Sequence, residues 1–112
     1  MNQWRIKHGF EPISRALLPM LGAIVDDTAI GLLYLTNSDA AWIDNMTSNP
    51  DAQPKKVAKA VDAIVMRLID TAREHGVKQL YGVTSKKSMA KWIKRLGFER
   101  AVEDYIVLCR RV

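Results

Sequence analysis

A single cysteine, Cys109, among 112 residues rules out an internal disulfide, so the chain must hold itself together by its core. Only 6 glycines and 4 prolines are present, too few for a collagen-like or low-complexity chain. There are 2 histidines, His8 and His75, far apart and in no metal-ligand spacing, so neither marks a metal site. Long apolar runs are missing too. The most apolar stretch, ALLPMLGAIV at 16–25, is broken by Pro19 and falls well short of the roughly 20 residues a bilayer span needs. The opening MNQWRIKHGF is polar and basic and no signal-like apolar region follows it, so an intracellular, cytoplasmic protein without membrane contact is expected.

What is present suits one domain, 1–112, with an ordinary core: 48% hydrophobic and 26% charged residues. The formal charge is +5, compatible with an anionic partner but unable to select one. Two apolar runs flank Asp26-Asp27-Thr28, a hairpin signal, and Asn37-Ser38-Asp39 forms a second turn. These predict an antiparallel meander of strands at about 22–26, 29–36 and 40–48. Before it, Ile13 to Leu21 reads as a short helix interrupted at Pro19.

From Pro54 to His75, apolar residues at Val57, Val61, Ile64, Val65, Leu68, Ile69 and Ala72 recur at helical spacing, and Gly76 sits where a C-cap glycine belongs. His75 suits the negative end of that helix. VKQLYGVT follows as a strand. Ser85 caps a second helix, KKSMAKWIKRL, with Met89, Trp92, Ile93 and Leu96 on one face and Gly97 at its end. The remainder supplies one or two closing strands, Tyr105 to Cys109 among them, with Cys109 a small core residue. Antiparallel strands followed by strand–helix–strand crossovers define a mixed α+β sheet with helices on both faces.

One further absence stands out. Asn49 or Asp51 can cap the long helix and Pro54 suits its first turn, yet Lys55 and Lys56 follow where the helix dipole favours acid. A bound anion would make that arrangement favourable, since a helix N-terminus presents unpaired N–H groups. Lysines extended into solvent explain it equally well without a ligand.

From Gly22 onward, the element order and three local sequences resemble the GCN5-related N-acetyltransferase (GNAT) superfamily. Ile30-Gly31-Leu32-Leu33-Tyr34-Leu35 matches its strand pattern. Gln53, Lys56 and Ala58 fall on the first, fourth and sixth positions of R/Q-x-x-G-x-G/A, with Lys56 in place of the first glycine. IKRLGF, residues 93–98, matches Y-x-k-l-G-F, with Ile93 in place of tyrosine. The chain is similar to compact, divergent members in tailed-phage genomes, and its N-terminal region is shortened.

The resemblance implies transfer of an acetyl group from acetyl-CoA, as co-substrate, to an amine of a small molecule or protein. The pyrophosphate would lie at the turn formed by Gln53, Lys55, Lys56, Val57 and Ala58, with Lys86 of the second helix facing it. Backbone groups of Met46, Thr47 and Ser48 would hold the thioester and pantetheine arm. Asp44, with Trp42 and Met46 on its side of the strand, would be the base; a solvent-facing strand carboxylate is the plainer alternative. With no tyrosine at Ile93, Tyr81 or Tyr105 would stand in as the acid, although both suit ordinary strand positions.

The departures at Lys56 and Ile93 leave a second reading open: a non-catalytic protein of this fold binding a macromolecular partner, such as a phage-encoded modulator of a host protein, in host cytoplasm, or a virion component. A homodimer is a further partner reading. Nucleic acid is the weakest, because the basic helix 86–96 carries no recognition motif.

Overall fold

The computed structural model describes residues 1–82, 95–99 and 110. Within them the order is α1 (Asn2–Lys7), a single 3₁₀ turn (Arg15–Leu17), β1 (Leu21–Val25), β2 (Ala29–Leu35), β3 (Ala40–Ser48), α2 (Pro54–Glu74) and β4 (Gln79–Gly82). Most of the expected helix 86–96, up to residue 94, and nearly all of the closing segment, with Lys86, Met89, Trp92, Ile93, Tyr105 and Cys109, lie outside the described residues.

The sheet order is β1-β2-β3-β4. β1, β2 and β3 form the antiparallel meander, whereas β4 joins β3 in parallel after the crossover through α2. The hairpin turn works because Asp27 adopts φ 57° and Thr28 donates its hydroxyl to the Asp26 carbonyl. α2 buries the stripe Ala60, Val61, Ile64, Val65, Leu68 and Ala72. These residues meet Ala29 and Leu33 of β2 and Ala41 and Ile43 of β3 in one core. Leu33 and Leu68 are fully buried, and removal of either side chain beyond Cβ would cost about 2–5 kcal/mol. Leu96 and Phe98 pack against the same core.

Three local expectations are corrected. The segment 13–21 is not a helix: only Arg15–Leu17 turns, and Leu18 is extended at ψ 138° because a residue preceding proline is pushed from the helical region. The N-terminal arm, to which the sequence reading assigned no element, forms α1. Neither Asn49 nor Asp51 caps α2. The N-cap is Gln53, with no side-chain hydrogen bond. Asn49 is occupied elsewhere: its Nδ2 donates to the Asp27 carbonyl and its Oδ1 accepts from the Asp51 amide, while Asp51 pairs with Lys7 at 3.2 Å.

At the other end of α2 the chain turns at Gly76, φ 75°, where only glycine is unstrained. His75 caps the last turn, its Nδ1 2.8 Å from the Thr71 carbonyl.

Candidate active site

The site centres on an irregularity in β3. Leu32 pairs with Asp44 and Ile30 with Thr47, so Asn45 and Met46 together oppose the single residue Gly31. This is a β-bulge whose first residue, Asn45, sits at φ 53°. Asparagine tolerates that region better than most residues. The bulge inverts the alternation of the strand. Ala41 and Ile43 are buried toward α2 and Trp42 and Asp44 are exposed on the other face, but Met46 returns to the α2 side and packs on the core. Met46 therefore does not share a face with Trp42 and Asp44, contrary to the sequence expectation. Unbroken alternation would have placed it there.

Gly31 makes the inversion sterically possible. A Cβ on it would stand 2.8 Å from Ile64 Cγ2 and 2.9 Å from Met46 Cε. Its absence leaves the room Met46 occupies.

A polar network absent from the sequence reading holds the bulge. Asn45 Nδ2 donates to the Tyr34 hydroxyl at 2.7 Å, and Arg5 Nη1 donates to Asn45 Oδ1 at 3.3 Å. His8 Nε2 lies 2.9 Å from the Ser48 carbonyl. α1 is thus fastened along the second half of β3. Sequence offered one clue, an asparagine inside an apolar strand, but none to its distant partner Arg5.

Asp44 is exposed, and its Oδ1 accepts the Asn45 amide at 2.7 Å. Its other oxygen has no partner among the described residues, so it is available to an incoming group. Tyr81 stands across from Trp42 in the β3–β4 register, and their rings stack with centroids 4.7 Å apart. Described pairing between these strands ends at Ile43–Gly82, leaving Asp44 to Ser48 without a partner on that side among the described residues.

α2 opens five residues beyond β3. Gln53, Lys55, Lys56 and Ala58 are exposed and Val57 is half-buried against the core. No acidic residue occupies the first turn, and the first helical bond runs from the Val57 amide to the Gln53 carbonyl. The amides of Lys55 and Lys56 have no acceptor among the described residues. The bulged strand and the open helix end are therefore consecutive features of one chain segment. Tyr105 and Lys86 cannot be placed against this geometry, since both lie outside the described residues.

The arrangement, a meander whose bulged third strand leads into a central helix and a parallel fourth strand, is the GNAT fold. It is similar to the crystal structure of the ribosomal-protein-S18-alanine N-acetyltransferase from Escherichia coli, with a TM-score of 0.69 and 21% identity over 90% of this chain and 70% of that one. No protein-family model matches the chain. No curated protein matches it.

Proposed function

We propose that the protein is an N-acetyltransferase that moves an acetyl group from acetyl-CoA to a primary amine of a small molecule or protein. The observation that carries this reading is the succession of the Asn45 bulge and the uncapped N-terminus of α2 within one fold. The diphosphate of acetyl-CoA would be held by the amides of Lys55 and Lys56 with their ammonium groups beside it. Amides of the segment Met46 to Ser48 would receive the thioester carbonyl oxygen, where negative charge develops. Asp44 would take the proton of the attacking ammonium. The amine nitrogen then bonds to the carbonyl carbon, the carbon–sulfur bond breaks, and the thiolate leaves with a proton from water or a tyrosine. Tyr81 is one candidate, with its ring held against Trp42. Tyr105 is the other candidate.

Calorimetric titration with acetyl-CoA, followed by turnover on an amine panel, tests the reading. Saturable binding with release of free thiol supports it; no heat at millimolar acetyl-CoA removes it.

A second reading, a partner-binding protein of phage origin that has kept the fold without the reaction, draws on Lys56. Its side chain occupies a position at which the resembled signature has glycine, and a Cβ there narrows the approach of a phosphate to the backbone. Binding of acetyl-CoA without turnover on any amine would favour it.

A further inference from the structure

Of the 3 tyrosines in the chain, the one that sequence did not put forward as a proton donor, Tyr34, has a hydroxyl that reaches the bulge. Tyr34 stands opposite Trp42 in the β2–β3 register, on the sheet face away from α2, and Asp44 is its diagonal neighbour there. The hydrogen bonds around Asn45 fix where the Tyr34 proton can go. Arg5 can only donate, so the Asn45 atom it meets at 3.3 Å must be the side-chain oxygen. The other end is then the amide nitrogen, which also can only donate, and the Tyr34 oxygen 2.7 Å away must accept. The hydroxyl therefore keeps its own proton for another group, and that proton has no acceptor among the described residues. Asn45 thus holds two groups of opposite use: its backbone amide binds Asp44 Oδ1 and its side-chain amide binds Tyr34.

We propose that Tyr34 is the catalytic acid, giving its hydroxyl proton to the sulfur that leaves from the thioester. The proposal rests on the acetyl-transfer reading, which puts the thioester carbonyl against the amides of Met46 to Ser48, directly after Asn45. Tyr81, stacked on Trp42, makes no hydrogen bond to the bulge among the described residues. As the amine nitrogen bonds to the carbonyl carbon, the carbon–sulfur bond breaks and its electron pair goes to sulfur. The sulfur takes the Tyr34 proton and departs as the free thiol. The phenolate left behind still accepts the Asn45 N–H, with the Arg5 guanidinium behind it, until water returns a proton.

Tyr34→Phe, measured in the full chain with two acetyl donors, tests the assignment. The thiol of acetyl-CoA needs a proton as it leaves, whereas the more acidic thiophenol of thiophenyl acetate leaves as the anion. Tyr34→Phe should lower kcat/KM with acetyl-CoA about 10²-fold and with thiophenyl acetate less than about threefold. A tyrosine that only braced the bulge would slow both donors equally when removed. Asn45→Asp is the second variant, since aspartate tolerates the left-handed backbone at φ 53°. Its carboxylate offers no N–H, so Tyr34 would donate to it and turn its proton away from the sulfur. The same donor-selective loss is expected, with acetyl-CoA affinity unchanged by calorimetry. Equal losses with both donors, or full acetyl-CoA turnover in Tyr34→Phe, overturn the assignment and leave the transfer reading in place. Wild-type protein that acetylates no amine from either donor removes both.

Discussion

Replacing Gly31 by alanine is the sharpest test of how the bulge is built. The new Cβ would lie 2.8 Å from Ile64 Cγ2, 2.9 Å from Met46 Cε and 3.1 Å from Met46 Sδ, all inside ordinary contact distance. Ile64 is 1% exposed and held between helix and sheet, so it cannot withdraw; Met46 must move. Overpacking of this kind costs about 1–3 kcal/mol. Alanine in place of glycine returns about 0.4–1 kcal/mol by restricting the unfolded chain. The net expectation is a loss of up to about 2.5 kcal/mol, seen as a fall in Tm of up to roughly 10 °C for a domain of this size. Urea melts of Gly31→Ala, Met46→Ala and the double variant supply the assay. Because the clash is with Met46, the double variant should be more stable than additivity predicts, by at least about 0.5 kcal/mol. Strict additivity in the double variant would refute the packing account.

Three other outcomes are expected. Asn45→Ala should destabilise by about 1.5–3 kcal/mol, combining the cost of a left-handed residue with loss of the bonds to Tyr34 and Arg5, whereas Asn45→Gly should lose less because glycine keeps the backbone; urea melts give the order. Asp44→Asn should lower kcat/KM for amine acetylation by about 10²–10⁴ with acetyl-CoA binding unchanged; a loss below about tenfold would return Asp44 to a structural role. Replacing both Lys55 and Lys56 by alanine should weaken acetyl-CoA binding by roughly 3- to 30-fold, with the difference shrinking as salt is raised; calorimetry at two ionic strengths checks it.

The regular elements were legible because their periodicities are strong. The apolar stripe of α2 runs unbroken from Val57 to Ala72, and the observed helix ends within a residue of its expected limit. All three meander strands lie within a residue or so of where alternation and turn residues put them. What escaped was whatever depends on a contact remote in sequence. Asn49 looks like a cap, but the turn at Asp27 competes for its side chain and wins. Met46 looks coplanar with Asp44, and one inserted residue reverses it. α1 is too short to be stable alone and carries no stripe; it forms where Arg5, Lys7 and His8 find Asn45, Asp51 and Ser48 on the folded sheet. Of the candidate site, sequence pointed to the segment from Asp44 to Ala58 but missed the contacts that join Arg5, Asn45 and Tyr34.

Those three residues also explain how the N-terminal helix serves the site. A bulged strand with an unpaired side is a weak point, since each unmet backbone group exposes it to fraying or slippage. Here one helix of six residues, bonded at Asn45, Ser48 and Asp51, spans the bulge and the exit toward α2. The individual contacts are weak: Lys7–Asp51 is an exposed pair worth at most about 1 kcal/mol. They act together because they are rigidly linked by the helix, so ordering α1 once secures all of them.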